Sequence, residues 1–261
     1  MIPKNFRLIT IPVSHYSEKA RWGLDYLKIP FKELAHMPPF HRGATKKYGG
    51  TSVPVLVTDT GAATDSTDIL RYLDRLYPEQ LYPIDPQLQL LGTELEILFN
   101  NTLGVHTRRW GYSYILSSEL LYPRWTLGVP FWEKLLFPVI FPKVGAILKQ
   151  NYDITETSGV ESYREIQGVF DRVDRILADG RKYLLGDRFS AIDITFAALA
   201  APILQPPEHH TSPAPMESLP TQMQTDIRNA QATSAGKFGL RMYREHRRNL
   251  VKSQAIANLS S

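Results

Sequence analysis

The chain has 261 residues, 43% hydrophobic and 21% charged, a balance that excludes intrinsic disorder, collagen-like repeats and a dedicated membrane protein. It contains no cysteine, which excludes disulfides, thiolate metal sites and a catalytic thiol of its own. The net charge of +4 is local: residues 237–252 hold six basic residues against Glu245, a segment charge of +5, and the rest carries −1. A surface built throughout for nucleic acid is therefore not expected.

Residues 1–16 lack the apolar run and small-residue cleavage site of a secretory signal. The most apolar stretch, Trp125 to Leu148, is broken by Glu133, Lys134, Lys143 and three prolines. It falls short of the ~20 uninterrupted residues that cross a bilayer. The expectation is a soluble, cytoplasmic protein with no membrane partner.

In chain order, Arg7 to Ile11 is β-prone and stops at Pro12, and Ser17 to Leu27 carries Ala20, Leu24 and Leu27 at helical spacing. Phe31 to Leu34 follows the Pro30 break as a second strand, and the pattern is then poorly defined up to Ser52. Val53 to Val57 is strongly β-branched, and Thr58-Asp59-Thr60-Gly61 turns it back into Ala62-Ala63-Thr64. Ile69, Leu73 and Leu76 mark a helix stopped by Pro78. This order predicts a small mixed sheet with helices packed on it. Residues 77–86, with three prolines, read as a linker. From Gln87 onward the periodicity is helical, over Leu91 to Leu98 and beyond, Val160 to Leu177 and Ile192 to Leu204. Six prolines from Pro202 to Pro220 predict a long late loop.

Four short segments bear on chemistry. Val53-Pro54 either opens an edge strand with a trans proline, or holds a cis bond that turns backbone groups outward toward a peptide-like ligand. Asp65-Ser66 either caps the following helix, or offers an acid for an ammonium and a hydroxyl beside unpaired helix N–H groups for a carboxylate. In Ser14-His15-Tyr16-Ser17, Ser17 is the expected N-cap and Ser14 is left in the loop, where its hydroxyl could stabilise a thiolate. Ser190-Ala191-Ile192-Asp193 is a capping box with a structural role. His209-His210 lacks a third ligand at sensible spacing, so no metal site is expected.

Ser14 followed by Lys19 and Arg21, then Ser52-Val53-Pro54-Val55-Leu56, Asp65-Ser66, and Tyr183-Leu184-Leu185-Gly186-Asp187 leading into Ser190-Ala191-Ile192-Asp193, resembles the cytosolic glutathione transferases. Each motif alone is weak, but the ordered set spans most of the chain. The resemblance implies an α/β plus all-α architecture. A thioredoxin-like glutathione-binding domain would cover 1–80, with a linker at 81–86 and an all-helical domain over 87–261. It implies a homodimer, with glutathione as co-substrate and a small apolar electrophile as its partner. Carried over by position, it makes Ser14 the catalytic serine of the serine-type classes. It makes Ser14, His41, Ser52, Val53, Pro54, Asp65 and Ser66 the glutathione contacts, with His36 and Lys47 as alternatives to His41 for the glycine carboxylate.

Two departures stand out. Asp65 is one methylene shorter than the usual Glu or Gln, and the absence of cysteine removes the mixed-disulfide chemistry of cysteine-type members. The aromatics from Trp110 to Phe141 serve either core packing or a pocket for an apolar co-substrate. They also support an alternative, a hydrophobic-ligand carrier without catalysis. A zeta-like isomerase or dehalogenase shares Ser14 but would need a Ser-Ser-Cys sequence. Lys237, Arg241, Arg244, Arg248 and Lys252 fall on one helical stripe, either a solvated face or a source of positive potential that attracts anionic glutathione.

Overall fold

A computed structural model describes residues 3–247. Four strands form one sheet in the order β2-β1-β3-β4: β1 (Phe6–Thr10), β2 (Phe31–Ala35), β3 (Val55–Thr58) and β4 (Gly61–Ala63). β1 runs parallel to β2, with Phe6 opposite Phe31, and antiparallel to β3, with Leu8 opposite Leu56. Alternation along the two inner strands supplies both faces of the sheet. Leu8 and Leu56 join the main core with Ala20, Leu24, Ile69 and Leu73, whereas Ile9, Val55 and Val57 pack with Ala44 and Tyr48. The first group lies on α1 (His15–Tyr26) and α3 (Ser66–Leu76), the second on or just after α2 (His41–Lys46).

Three boundaries differ from the sequence reading. α1 starts at His15 rather than Ser17, because Ser14 is its N-cap and accepts from the Ser17 N–H at 3.2 Å. β3 starts at Val55, after a cis Val53–Pro54 bond. α2 occupies the stretch that showed no pattern; a helix of six residues is too short to display an apolar period.

Beyond β4 the described residues form helices and turns, with one isolated bridge between Tyr183 and Gly186. α4 (Pro86–Leu98) passes through a π-helical turn, Phe99–Leu103, into α5 (Gly104–Ile115). α6 (Tyr122–Trp125), α7 (Phe131–Asn151) and α8 (Glu156–Leu177) follow. Pro138 and Pro142 lie inside α7 without ending it. α9 (Ala191–Leu204) is buried on nearly every side and packs on α1, α5 and α11 (Ser234–Met242), with α10 (Thr221–Ala232) before α11. Its start is the expected capping box: Asp193 accepts from the Ser190 N–H at 2.7 Å and the Leu184 N–H at 2.9 Å. Pro202 sits within α9, so the Pro-rich loop begins only after Leu204. Among the described residues no helix is long and apolar enough to cross a membrane.

The sheet half and the helical half meet along α1. Tyr16 donates to the Asn100 carbonyl at 2.6 Å, and its ring lies so close to Gly104 that a Cβ there would overlap the phenol oxygen. At the far end of the chain Arg247, fully buried, donates to Glu18 at 2.8 Å and to Asp25, both on α1.

Candidate functional site

Two helix N-termini on the sheet half and the cis Val53–Pro54 segment preceding β3 carry most of the residues singled out from sequence. At the first, Ser14 donates its backbone N–H to Ile11 and its Oγ accepts the Ser17 N–H. Capping uses an oxygen lone pair, so the hydroxyl proton stays free to be donated to an anion. Ser17, expected to be the cap, is instead fully buried with an unpartnered Oγ. Tyr16 is committed to Asn100, and burial pushes its hydroxyl up to about 12, which leaves it a poor source of a proton. Ser14 and Ser17 both keep a hydroxyl proton uncommitted near the helix start, and of the two only Ser14 is not fully buried.

At the second N-terminus Asp65 caps α3 through Oδ1, which accepts the Thr67 N–H at 2.7 Å. The capping alternative is thus realised, with a second carboxylate oxygen left over on an exposed residue. Ser66 is 1% exposed and its Oγ has no partner. A buried hydroxyl without a partner is costly, and here it stands at a helix start whose N–H groups favour a carboxylate. Lys19 fixes this helix end from below: its Nζ donates to Thr67 Oγ1 at 2.7 Å and pairs with Glu96 at 3.2 Å. Arg21 does the same for the first N-terminus, pairing with Glu33 at 2.7 Å and reaching the Ile11 carbonyl. Lys19 and Arg21 are therefore positioning residues.

Ser52 is exposed, Val53 half-buried and Pro54 buried. His41 opens α2 with a buried, unpartnered Nδ1; burial, then Arg42 and His36, hold its ring down at about 4. His36 is engaged elsewhere, 2.6 Å from Glu133. Lys47 lies over the Tyr48 ring. Glu133 was not foreseen. It comes from α7, is 0% exposed, and its other oxygen accepts the Met37 N–H at 2.8 Å. Trp132 meets Phe40 edge-on beside it. Only the acid's place in an otherwise apolar run could have signalled this clasp.

On the helical side a cavity of about 80 Å³ opens next to Val13 and His15, the neighbours of Ser14. Among the aromatics, Trp110, Trp125 and Phe137 are core, Tyr112 lines this cavity, and Phe131 and Trp132 are exposed. The basic C-terminal stripe divides. Lys237 and Arg244 are exposed, Arg241 stacks on Tyr183 and Phe238, and Arg248 and Lys252 lie outside the described residues. Arg247, adjacent in sequence, is buried against α1 instead.

A four-stranded mixed sheet with a cis-proline before its third strand, followed by helices, is the glutathione S-transferase architecture. Residues 8–81 match the family described as glutathione S-transferase, N-terminal domain. Solved structures share the fold across the chain. A glutathione S-transferase of Ceriporiopsis subvermispora in complex with glutathione is 18% identical, with a TM-score of 0.60, over 93% of this chain and 97% of that one. GSTFuA3, a glutathione transferase from Phanerochaete chrysosporium, is 13% identical, with a TM-score of 0.63 over the same shares. The β-etherase LigF from Sphingobium sp. strain SYK-6 is 18% identical, with a TM-score of 0.57, over 91% of this chain and 99% of that one. No curated protein matches significantly by sequence. The match is thus to the glutathione S-transferase N-terminal domain over residues 8–81, and the fold of the whole chain is that of solved glutathione S-transferases.

Proposed function

We propose that the protein is a serine-type glutathione transferase, joining the glutathione sulfur to a small, largely apolar electrophile. The observation that carries this reading is the Ser66 hydroxyl, buried and unpartnered at the start of α3 beside the spare oxygen of Asp65. Together they suit the carboxylate and ammonium of an amino-acid end group such as the γ-glutamyl end of glutathione. The backbone around Ser52, Val53 and Pro54 pairs with the cysteinyl part, and His41 takes the glycine carboxylate. Residues 1–80 act as the glutathione-binding domain, 81–86 as linker and 87–261 as the helical domain.

Ser14 donates its hydroxyl to the thiolate at the N-terminus of α1, where the helix dipole favours negative charge. The thiol proton passes to solvent. The sulfur lone pair forms the C–S bond as the leaving group departs with its electrons. Leu90 and Ile97, exposed on one face of α4, suit a homodimer contact. The reading places the protein in the cytoplasm.

Ser14→Ala is expected to lower turnover of 1-chloro-2,4-dinitrobenzene by roughly ten- to a hundredfold, the loss of one charge-assisted hydrogen bond. Glutathione affinity, measured by calorimetry, should change less. Full activity in the variant removes Ser14 from the mechanism, and no glutathione binding at millimolar concentration removes the transferase reading itself.

A further inference from the structure

The cavity beside Val13 and His15 holds two guanidinium groups and no acid. Arg108 and Arg124 both line it, together with His15, His209, Gln205 and Tyr112, and none of its lining residues is Asp or Glu. Among the described residues no carboxylate lies within ion-pair distance of either arginine. The Nε of each is buried without a hydrogen-bond acceptor. Arg108 is held in place by stacking 4.0 Å from the Tyr152 ring.

The two histidines do not change the balance. Burial, reinforced by Arg108, holds His15 at about 3, and burial holds His209 at about 4, so both rings are neutral at ordinary pH. Gln205 Oε1 is also buried and unpartnered, but one neutral carbonyl oxygen cannot serve two guanidinium groups. The fully buried cations described are all paired, Lys19 with Glu96, Arg21 with Glu33 and Arg247 with Glu18, whereas Arg108 and Arg124, half-buried with buried Nε atoms, are not. Two guanidinium groups lining one small cavity without a counter-ion carry an uncompensated desolvation cost, and an oxyanion seated there offsets it.

We propose that this cavity seats an acid group, a carboxylate or its like, carried on the electrophile, so that the second substrate is an organic acid with an apolar body. This deepens the transferase reading and rests on it for the word electrophile; the anion seat itself does not.

The test uses 4-chloro-3,5-dinitrobenzoate and its methyl ester, which differ in charge and by one methyl group, titrated by calorimetry into the full chain without glutathione. The acid is expected to bind the wild type about tenfold or more tightly than the ester at low salt. That preference should shrink as ionic strength rises. It should fall to about threefold or less in Arg108→Gln and in Arg124→Gln, while Arg124→Lys keeps an intermediate value. Equal binding of acid and ester by the wild type overturns the proposal, as does a preference insensitive to salt, which needs no variant to observe. One-for-one displacement of the acid by glutathione also overturns it, because the seat would then be glutathione's own. Glutathione titrated alone tests the transferase reading separately, and its failure leaves the acid seat standing.

Discussion

Replacing Arg247 with Met tests the largest buried charge cluster in the molecule. Arg247 bonds Glu18 at 2.8 Å and also Asp25, and Glu18 keeps Arg21 at 3.6 Å as its other cation. Methionine fills most of the same volume but leaves Glu18 in a fully buried position with one distant partner. Breaking such a cluster costs ~3–5 kcal/mol, or roughly 10 °C in Tm for a chain of this size.

The pH dependence carries the sharper test. Burial pushes the Glu18 carboxyl up, but Arg247, with His209 and Arg21, outweighs it and holds the group at about 2 against 4.5. That shift is worth ~3 kcal/mol. A depressed acid stabilises the fold above its unfolded pKa, and the contribution drains away as pH falls from 4.5 toward 2. Without Arg247 burial dominates, the carboxyl favours its proton, and the variant gains stability as pH falls from 7 toward 5. The difference between wild type and variant should therefore narrow steadily between pH 7.5 and 4.5 in urea denaturation followed by circular dichroism. Adding Glu18→Gln to the variant should recover at least ~1 kcal/mol through non-additivity. A difference under ~1 kcal/mol at pH 7, or one that stays constant with pH, would refute this account of the cluster.

Two further outcomes follow from named contacts. Asp193→Ala removes an acceptor of three hydrogen bonds at the start of α9, an expected loss of ~2–4 kcal/mol by urea titration. Burial raises this acid to about 6 against its three hydrogen bonds, so the wild type should gain stability as pH drops from 6 to 4 in this one respect, a gain the variant lacks. Gly104→Ala places a Cβ against the Tyr16 hydroxyl; it should cost ~1–3 kcal/mol and shift the fluorescence of the tyrosine–tryptophan core, and a silent substitution would show that α5 yields freely there.

The sheet half was largely legible because its inner strands bury both faces and its helices carry apolar residues at regular spacing. Leu8, Ile9, Val55 and Leu56 all sit where alternation puts them. The start of α1 was misread because Ser14 and Ser17 are equally good caps in composition, and only the backbone turn at Ser14 decides between them. Asp65-Ser66 was legible as a place but not as a division of labour, with the acid capping and the serine buried and free. Glu133, Arg108 and Arg124 were invisible because their meaning depends on which residues α5, α6 and α7 bring opposite them. Arg247 was read only as one of the six basic residues of 237–252, since nothing local to it reveals two carboxylates more than 220 positions away.

The Glu133 clasp limits how freely this chain can be recombined with its relatives. A chimera that grafts residues 1–80 onto another helical half would bring along His36 and the Met37 amide, and both lose their acceptor unless the new half supplies a carboxylate at the same place on its third long helix. The two halves are thus matched parts, and a successful exchange must carry the acid at 133 together with the loop that it holds.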